Sequence, residues 1–241
     1  MNEVTEMETR EIAGLTTHVL PANAEAASLV VLLHGYDGFA TDLSPFAASL
    51  RLPCAFAFPE APEPATPGGR GGHAWWPIND ESRIRAQRLR TPRDLSDMSP
   101  KGLPLARARI LAFLERIGSE MRPTSVVLGG FSQGAMLACD IAWRDRRALQ
   151  GLVVLSGARI CGAEWASLYT RRRGLPVFVS HGKEDPELSF HAAHSFQNEL
   201  QAHGLATTWT PFEGGHEVPL PALRALKRFL AATCAGSTQE A

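Results

Sequence analysis

The chain carries almost no net charge: 24 Lys and Arg stand against 25 Asp and Glu in 241 residues, a formal balance of -1. That balance speaks against a nucleic-acid or anionic-membrane partner held by bulk electrostatics. Cysteine is sparse. Cys54, Cys139, Cys161 and Cys234 are scattered and never form a C-x-x-C pair. Neither a zinc site nor a disulfide framework fits that spacing, whereas a reducing compartment does. No stretch approaches the run of about 20 apolar residues that a membrane span needs, so no stable membrane anchor is expected. The opening segment MNEVTEMETREIAGL is acidic and has no apolar stretch of the kind a secretory signal carries. No repeat of solenoid period is visible. These absences predict a cytoplasmic protein that acts on a small molecule or meets another protein.

The composition is otherwise that of a globular domain: 44% of residues are apolar and 20% charged. Short apolar runs alternate with amphipathic ones. Residues 28–35, 53–58, 125–130, 151–157 and 175–182 read as strands buried on both faces. Residues 206–212 alternate more and read as a strand nearer an edge. Residues 103–121, 133–144, 188–204 and 221–234 read as helices, the first with Ile110, Phe113, Leu114, Ile117 and Met121 on one face. Strands alternating with helices predict an α/β fold with a mostly parallel central sheet flanked by helices. The expected organisation is a single domain over 1–241, with a loosely ordered segment at 1–14 and a flexible tail at 235–241. One interval, 59–103, breaks the rhythm. Pro and Gly crowd its first half, a basic stretch at 82–90 has helical character, and Trp75 and Trp76 need somewhere to pack. It is expected to be a loop excursion over one end of the sheet.

The chemistry centres on Gly130-Phe131-Ser132-Gln133-Gly134, which stands between a β-like run and a helix-like run. A serine flanked by glycines at such a junction sits on a sharp turn with its hydroxyl exposed and the helix dipole behind it. A chance match to the pattern occurs in roughly one such chain in ten, so the surrounding strand and helix carry the argument. A serine nucleophile needs a base, and the base an orienting acid, in the chain order Ser, Asp or Glu, His. Asp185 follows a buried strand in VFVSHGKEDPEL, and His216 lies in a glycine-flanked loop in FEGGHEV. Glu184 and Glu187 compete for the acid; Asp185 is preferred because a short carboxylate at a turn has little freedom. His34 and His181 precede their expected place and sit at strand ends, where an imidazole more often bonds loop backbone. His191 and His194 lie three apart on a helix without a third ligand, so no metal is expected; His203 also competes for the base. Oxyanion donors are expected at the backbone N–H groups of Gln133 and of Tyr36, in the glycine-bordered loop LLHGYDG.

The motifs VVLLHGYDG, AFAFPEAPE, AWWPI, GGFSQGAMLA, VVLSG, PVFVSHGKEDPELSF and FEGGHEVP span most of the chain. In order and spacing they resemble the α/β-hydrolases of the acyl-protein thioesterase, phospholipase and carboxylesterase family. The resemblance implies Ser132 as nucleophile, Asp185 as acid, His216 as base and oxyanion donors at Tyr36 and Gln133. It implies a cofactor-free serine hydrolase of carboxylic esters, lysophospholipids or S-acyl thioesters, with a small-molecule ester or thioester substrate. Trp75 and Trp76 are expected to line the substrate. Three features depart from the family pattern. The first loop reads His34-Gly35-Tyr36-Asp37-Gly38 where the family usually has a Gly-Asp or Gly-Ala pair after His-Gly. The acid motif continues Pro186-Glu187-Leu188, placing a charge beside the site. The excursion carries Arg70, Arg83, Arg85, Arg88, Arg90 and Arg93, read either as a solvated face or as attraction for an anionic substrate. A non-catalytic binding protein on the same fold is the alternative of another class, and the sequence carries no signature of oligomeric state.

Overall fold

The computed structural model describes residues 6–22, 27–65, 69–78 and 80–235. Among them the strands are β1 (Glu8–Ile12), β2 (Leu15–Leu20), β3 (Leu29–Leu33), β4 (Ala55–Pro59), β5 (Glu63–Pro64), β6 (His73–Ala74), β7 (Val126–Phe131), β8 (Gly151–Leu155), β9 (Pro176–Gly182) and β10 (Ala206–Phe212). The α-helices are α1 (Ser44–Leu50), α2 (Asp80–Leu89), α3 (Leu103–Met121), α4 (Gln133–Arg144), α5 (Gly162–Ala166), α6 (Phe190–Ala202) and α7 (Leu220–Ala235). Eight strands form one sheet in the order β1-β2-β4-β3-β7-β8-β9-β10, while β5 and β6 pair in a small separate ribbon. From β4 to β10 every pairing in the large sheet is parallel; β1 and β2 extend it antiparallel. This is the α/β architecture the sequence predicts, with β10 at an edge.

The central strands are apolar throughout because both faces are covered. In β3, Leu29, Val31 and Leu33 join the core beneath α3, α4 and α6, through Ile110, Phe113, Leu137, Ile141 and Phe196. Val30 and Leu32 point to the other face, against Ala47 of α1 and Leu226 and Leu230 of α7. Each such aliphatic side chain contributes about 1.5–3 kcal/mol relative to exposure.

The N-terminal expectation is corrected. The described part of segment 1–14 is not loose: Glu8–Ile12 pairs antiparallel with β2 in full register, Ile12 opposite Leu15. The two-residue turn between them has φ of 52° at Ala13 and 76° at Gly14, the left-handed pair that suits strand twist in a tight hairpin. Leu15, Thr17 and Val19 turn inward while Thr16, His18 and Leu20 face outward or are half-buried. In the tail, Ala235 closes α7, and 236–241 lie outside the described residues.

Candidate active site

Phe131 ends β7 and Gln133 begins α4, so Ser132 alone makes the turn between them. It does so at φ 53° and ψ -115°, a conformation that costs a residue with a side chain about 1–3 kcal/mol and persists only where the surroundings impose it. The surroundings are tight. A Cβ at Gly134 would lie 2.1 Å from the Leu33 carbonyl oxygen, so only glycine lets α4 start this close to the end of β3. The Ser132 N–H donates to the Leu155 carbonyl at 2.9 Å, which anchors the turn to β8.

The other groups arrive on loops at the same ends of neighbouring strands, where open α/β sheets bind ligands. Asp185 follows β9 and His216 follows β10. The two loops pack backbone against backbone: a Cβ at Gly182 would meet the Gly215 oxygen at 2.2 Å. The Glu184 N–H donates to the Gly214 oxygen at 3.0 Å. His216 Nδ1 lies 2.7 Å from Asp185 Oδ2. A carboxylate only accepts, so Nδ1 carries a proton, and in the neutral ring the free lone pair is on Nε2. The His216 ring is 4.8 Å, centroid to centroid, from that of Phe131, the residue before Ser132.

The Asp185 carboxylate is fully buried. Burial alone raises the pKa of such a group, but hydrogen bonds from His181, His216 and the Leu188 backbone outweigh it and hold the carboxyl well below the usual carboxylate range. Oδ1 accepts from the N–H groups of Glu187 and Leu188 at 2.8 and 2.9 Å. The fully buried His181 brings Nε2 to 3.1 Å from Oδ2 and 3.2 Å from the Leu188 oxygen. A strand-end imidazole bonding loop backbone was the sequence expectation. Its approach to the acid was not visible in one dimension.

The loop after β3 closes the third side. A Cβ at Gly35 would lie 3.3 Å from that of Ser132, which sets the Gly35-Tyr36 backbone beside the Ser132 turn. Asp37, at φ 56°, accepts from the N–H groups of Arg70 and Gly72 at 2.6 and 2.9 Å and pins the excursion to this loop. His34 donates from Nδ1 to the Gly35 oxygen at 2.8 Å and accepts the Ala61 N–H on Nε2 at 2.9 Å. Burial lowers its pKa and keeps the ring neutral.

Trp75 and Trp76 take a different place from the one expected. Each is 2% exposed and belongs to the main core, so little ring surface is left for a substrate. Trp75 N–H donates to Gln133 Oε1 at 2.9 Å, Gln133 Nε2 to the Trp76 oxygen at 2.8 Å, and Trp75 Nε1 to the His34 oxygen at 2.9 Å. The pair therefore braces the start of α4 and the end of β3. The arginines divide. Arg70 forms a two-pronged pair with Asp42, both arms at 3.0 Å. Arg83 and Arg93 reach Glu187 at 3.4 and 3.3 Å, and Arg83 also stacks over the Tyr36 ring at 5.4 Å. Arg85, Arg88 and Arg90 face solvent. A recess of about 200 Å³ adjoins the site, lined by Gly35, Tyr36, Leu43, Phe46, Phe131 and Val218 with Asp42 and Arg70. Among the described residues no cluster of His, Cys, Asp and Glu is arranged to hold a metal, and His194 instead stacks on Trp209 at 5.5 Å.

Residues 16–234 match the Phospholipase/Carboxylesterase family. The chain belongs to that family. It is accordingly a carboxylic ester hydrolase of the α/β-hydrolase fold. It is 26% identical over 226 residues to Acyl-protein thioesterase 1 of Neurospora crassa, covering 88% of this chain and 89% of that protein. Among solved structures, esterase PE8 superposes with a TM-score of 0.76 at 26% identity, covering 91% of this chain and 99% of that one. Acyl-protein thioesterase 2 of Zea mays superposes at 0.71 with 22% identity, over 90% and 98% of the two chains, a likeness of fold. Among the described residues no helix is long and apolar enough to cross a membrane.

Proposed function

We propose that this ester hydrolase works through Ser132, His216 and Asp185 and an acyl-enzyme intermediate. The observation that carries the reading is Ser132 held at positive φ on the turn after β7, beside two further strand-end loops whose Asp185 and His216 meet at 2.7 Å. The positive φ of Ser132 falls directly between a strand and a helix, where it aims the hydroxyl out of the sheet. His216 Nε2 takes the serine proton as Oγ attacks the acyl carbonyl. Asp185 fixes the tautomer and offsets the imidazolium charge. The oxyanion settles against the N–H groups of Gln133, free at the first turn of α4, and of Tyr36. The imidazolium then protonates the leaving group, and His216 activates water to release the acid.

The recess supports a substrate with one short arm. An engineered apolar cavity of about 150 Å³ holds benzene, so about 200 Å³ suits an acyl group of roughly six to eight heavy atoms. Small esters and S-acyl thioesters both fall within this class, and the cytoplasm is the proposed setting. Hydrolysis of p-nitrophenyl esters of increasing acyl length, with an acyl thioester in parallel, tests the reading. Turnover is expected to be best for short chains and to vanish in Ser132→Ala. Undiminished turnover in a folded Ser132→Ala protein overturns it.

A further inference from the structure

We infer that His181 is a positioning residue for catalysis: a second imidazole that holds the Asp185 carboxylate from behind while His216 uses it from the front. The inference rests on the proposed triad and extends it to a residue outside the triad.

His181 lies near the end of β9, and its side chain has no solvent exposure. Nε2 faces two oxygens, Asp185 Oδ2 at 3.1 Å and the Leu188 carbonyl at 3.2 Å. A carbonyl oxygen and a carboxylate both only accept, so Nε2 carries the proton and shares it between them. Nδ1 is buried, with no hydrogen-bond partner among the described residues. The donor that the geometry requires is therefore Nε2–H. The Phe190 ring lies beside that of His181, tilted by 60° with centroids 6.3 Å apart.

The consequence falls on one atom. Asp185 Oδ2 receives two imidazole N–H groups, while Oδ1 receives the backbone N–H groups of Glu187 and Leu188. The backbone donors hold one oxygen, and His181 stops the carboxylate from turning about that hold. Because its proton also reaches the Leu188 oxygen, the histidine ties the end of β9 to the turn that supplies the Leu188 N–H. A carboxylate that is buried, ionised and fixed in this way meets Nδ1 of His216 in one orientation. That is the condition for stabilising the imidazolium as Ser132 loses its proton.

The test compares His181→Met, which fills the space without a donor, with His181→Gln, whose amide nitrogen reaches about as far as Nε2. With p-nitrophenyl acetate and butyrate, His181→Met is expected to lose about 10- to 100-fold in kcat, the scale of a lost hydrogen bond to a charged group. Its KM should stay within about threefold, because no substrate contact is removed. His181→Gln should recover most of the loss. The downfield proton signal of the His216 Nδ1–H, followed by NMR, needs no substrate. It should persist in the parent and His181→Gln and broaden or shift in His181→Met. That readout decides the role of His181 even where no tested ester is turned over, a result that would count against the proposed hydrolysis alone. If His181→Met does not fold, His181→Asn, whose amide stops short of Oδ2, takes its place. Parent-like kcat and an unchanged signal in the donor-less variant overturn the inference. So does a His181→Gln protein as impaired as His181→Met at equal thermal stability, which would reduce His181 to packing.

Discussion

Ser132 is held at φ 53° between two elements that are otherwise regular. In the proposed mechanism the strain is a cost carried for the placement of one hydroxyl. Replacing it with glycine, which tolerates this conformation, should therefore raise the unfolding free energy by up to about 2 kcal/mol while removing turnover. Urea unfolding of parent and Ser132→Gly checks this, and an unchanged or lower midpoint would mean the turn is not strained. Two residues on, Gly134→Ala should have the opposite effect. Its Cβ would sit 2.1 Å from the Leu33 oxygen, and such overpacking costs about 1–3 kcal/mol; a fall in thermal stability together with lost activity is expected. Asp185→Asn should lower kcat on the order of 10⁴-fold by leaving His216 in the wrong tautomer, a loss read directly from the p-nitrophenyl assay.

At the scale of elements, the second half of the excursion, residues 83–93, is fastened to the loop that carries Asp185. The Arg93 N–H donates to the Glu187 oxygen at 3.0 Å and the Ser189 N–H to the Arg93 oxygen at 3.0 Å. The Glu187 carboxylate meets Arg83, Arg93 and Gln87. Glu187→Ala should therefore speed amide hydrogen exchange across α2 and residues 90–94 with little change in the central sheet; unchanged exchange in α2 would show that other contacts hold it. This fastening also marks where sequence reading ends. The strands β3, β4, β7, β8 and β9 were legible because they are largely buried on both faces and so written in short apolar runs. The proposed Ser, Asp, His order was legible because each group follows a strand that the sequence also shows. The β1–β2 hairpin was not: it lies at the sheet edge, half its residues are polar, and its turn is a plain Ala13-Gly14. Helix α1 is a single short segment with two buried residues, Ala47 and Leu50, too little periodicity to read. The partners of Glu187 lie 94 to 104 residues away along the chain, so the charge beside Asp185 was visible and its neutralisation was not. Trp75 and Trp76 were rightly read as needing a packing site, but which side of the loop they faced depended on the Gln133 amide that their backbone grips.

Across the molecule, the site and the stability of the fold meet at Asp185. Its folded pKa is depressed, so the unfolded chain binds a proton more readily, and the contribution to stability is present above about pH 4, the range of an unfolded aspartate. It is lost as pH falls through the folded value. The gap in thermal unfolding temperature between parent and Asp185→Asn should accordingly be widest at pH 5 and above and shrink below about pH 4; a gap that grows on acidification would contradict the assigned ionisation. The central claim, that Ser132 is an activated nucleophile served by His216, is tested most directly by fluorophosphonate labelling with intact-mass detection and peptide mapping. The account predicts one adduct per chain, located on Ser132, strongly slowed in His216→Ala and absent in Ser132→Ala. A folded parent that takes up no label, or an adduct on any other residue, would contradict it.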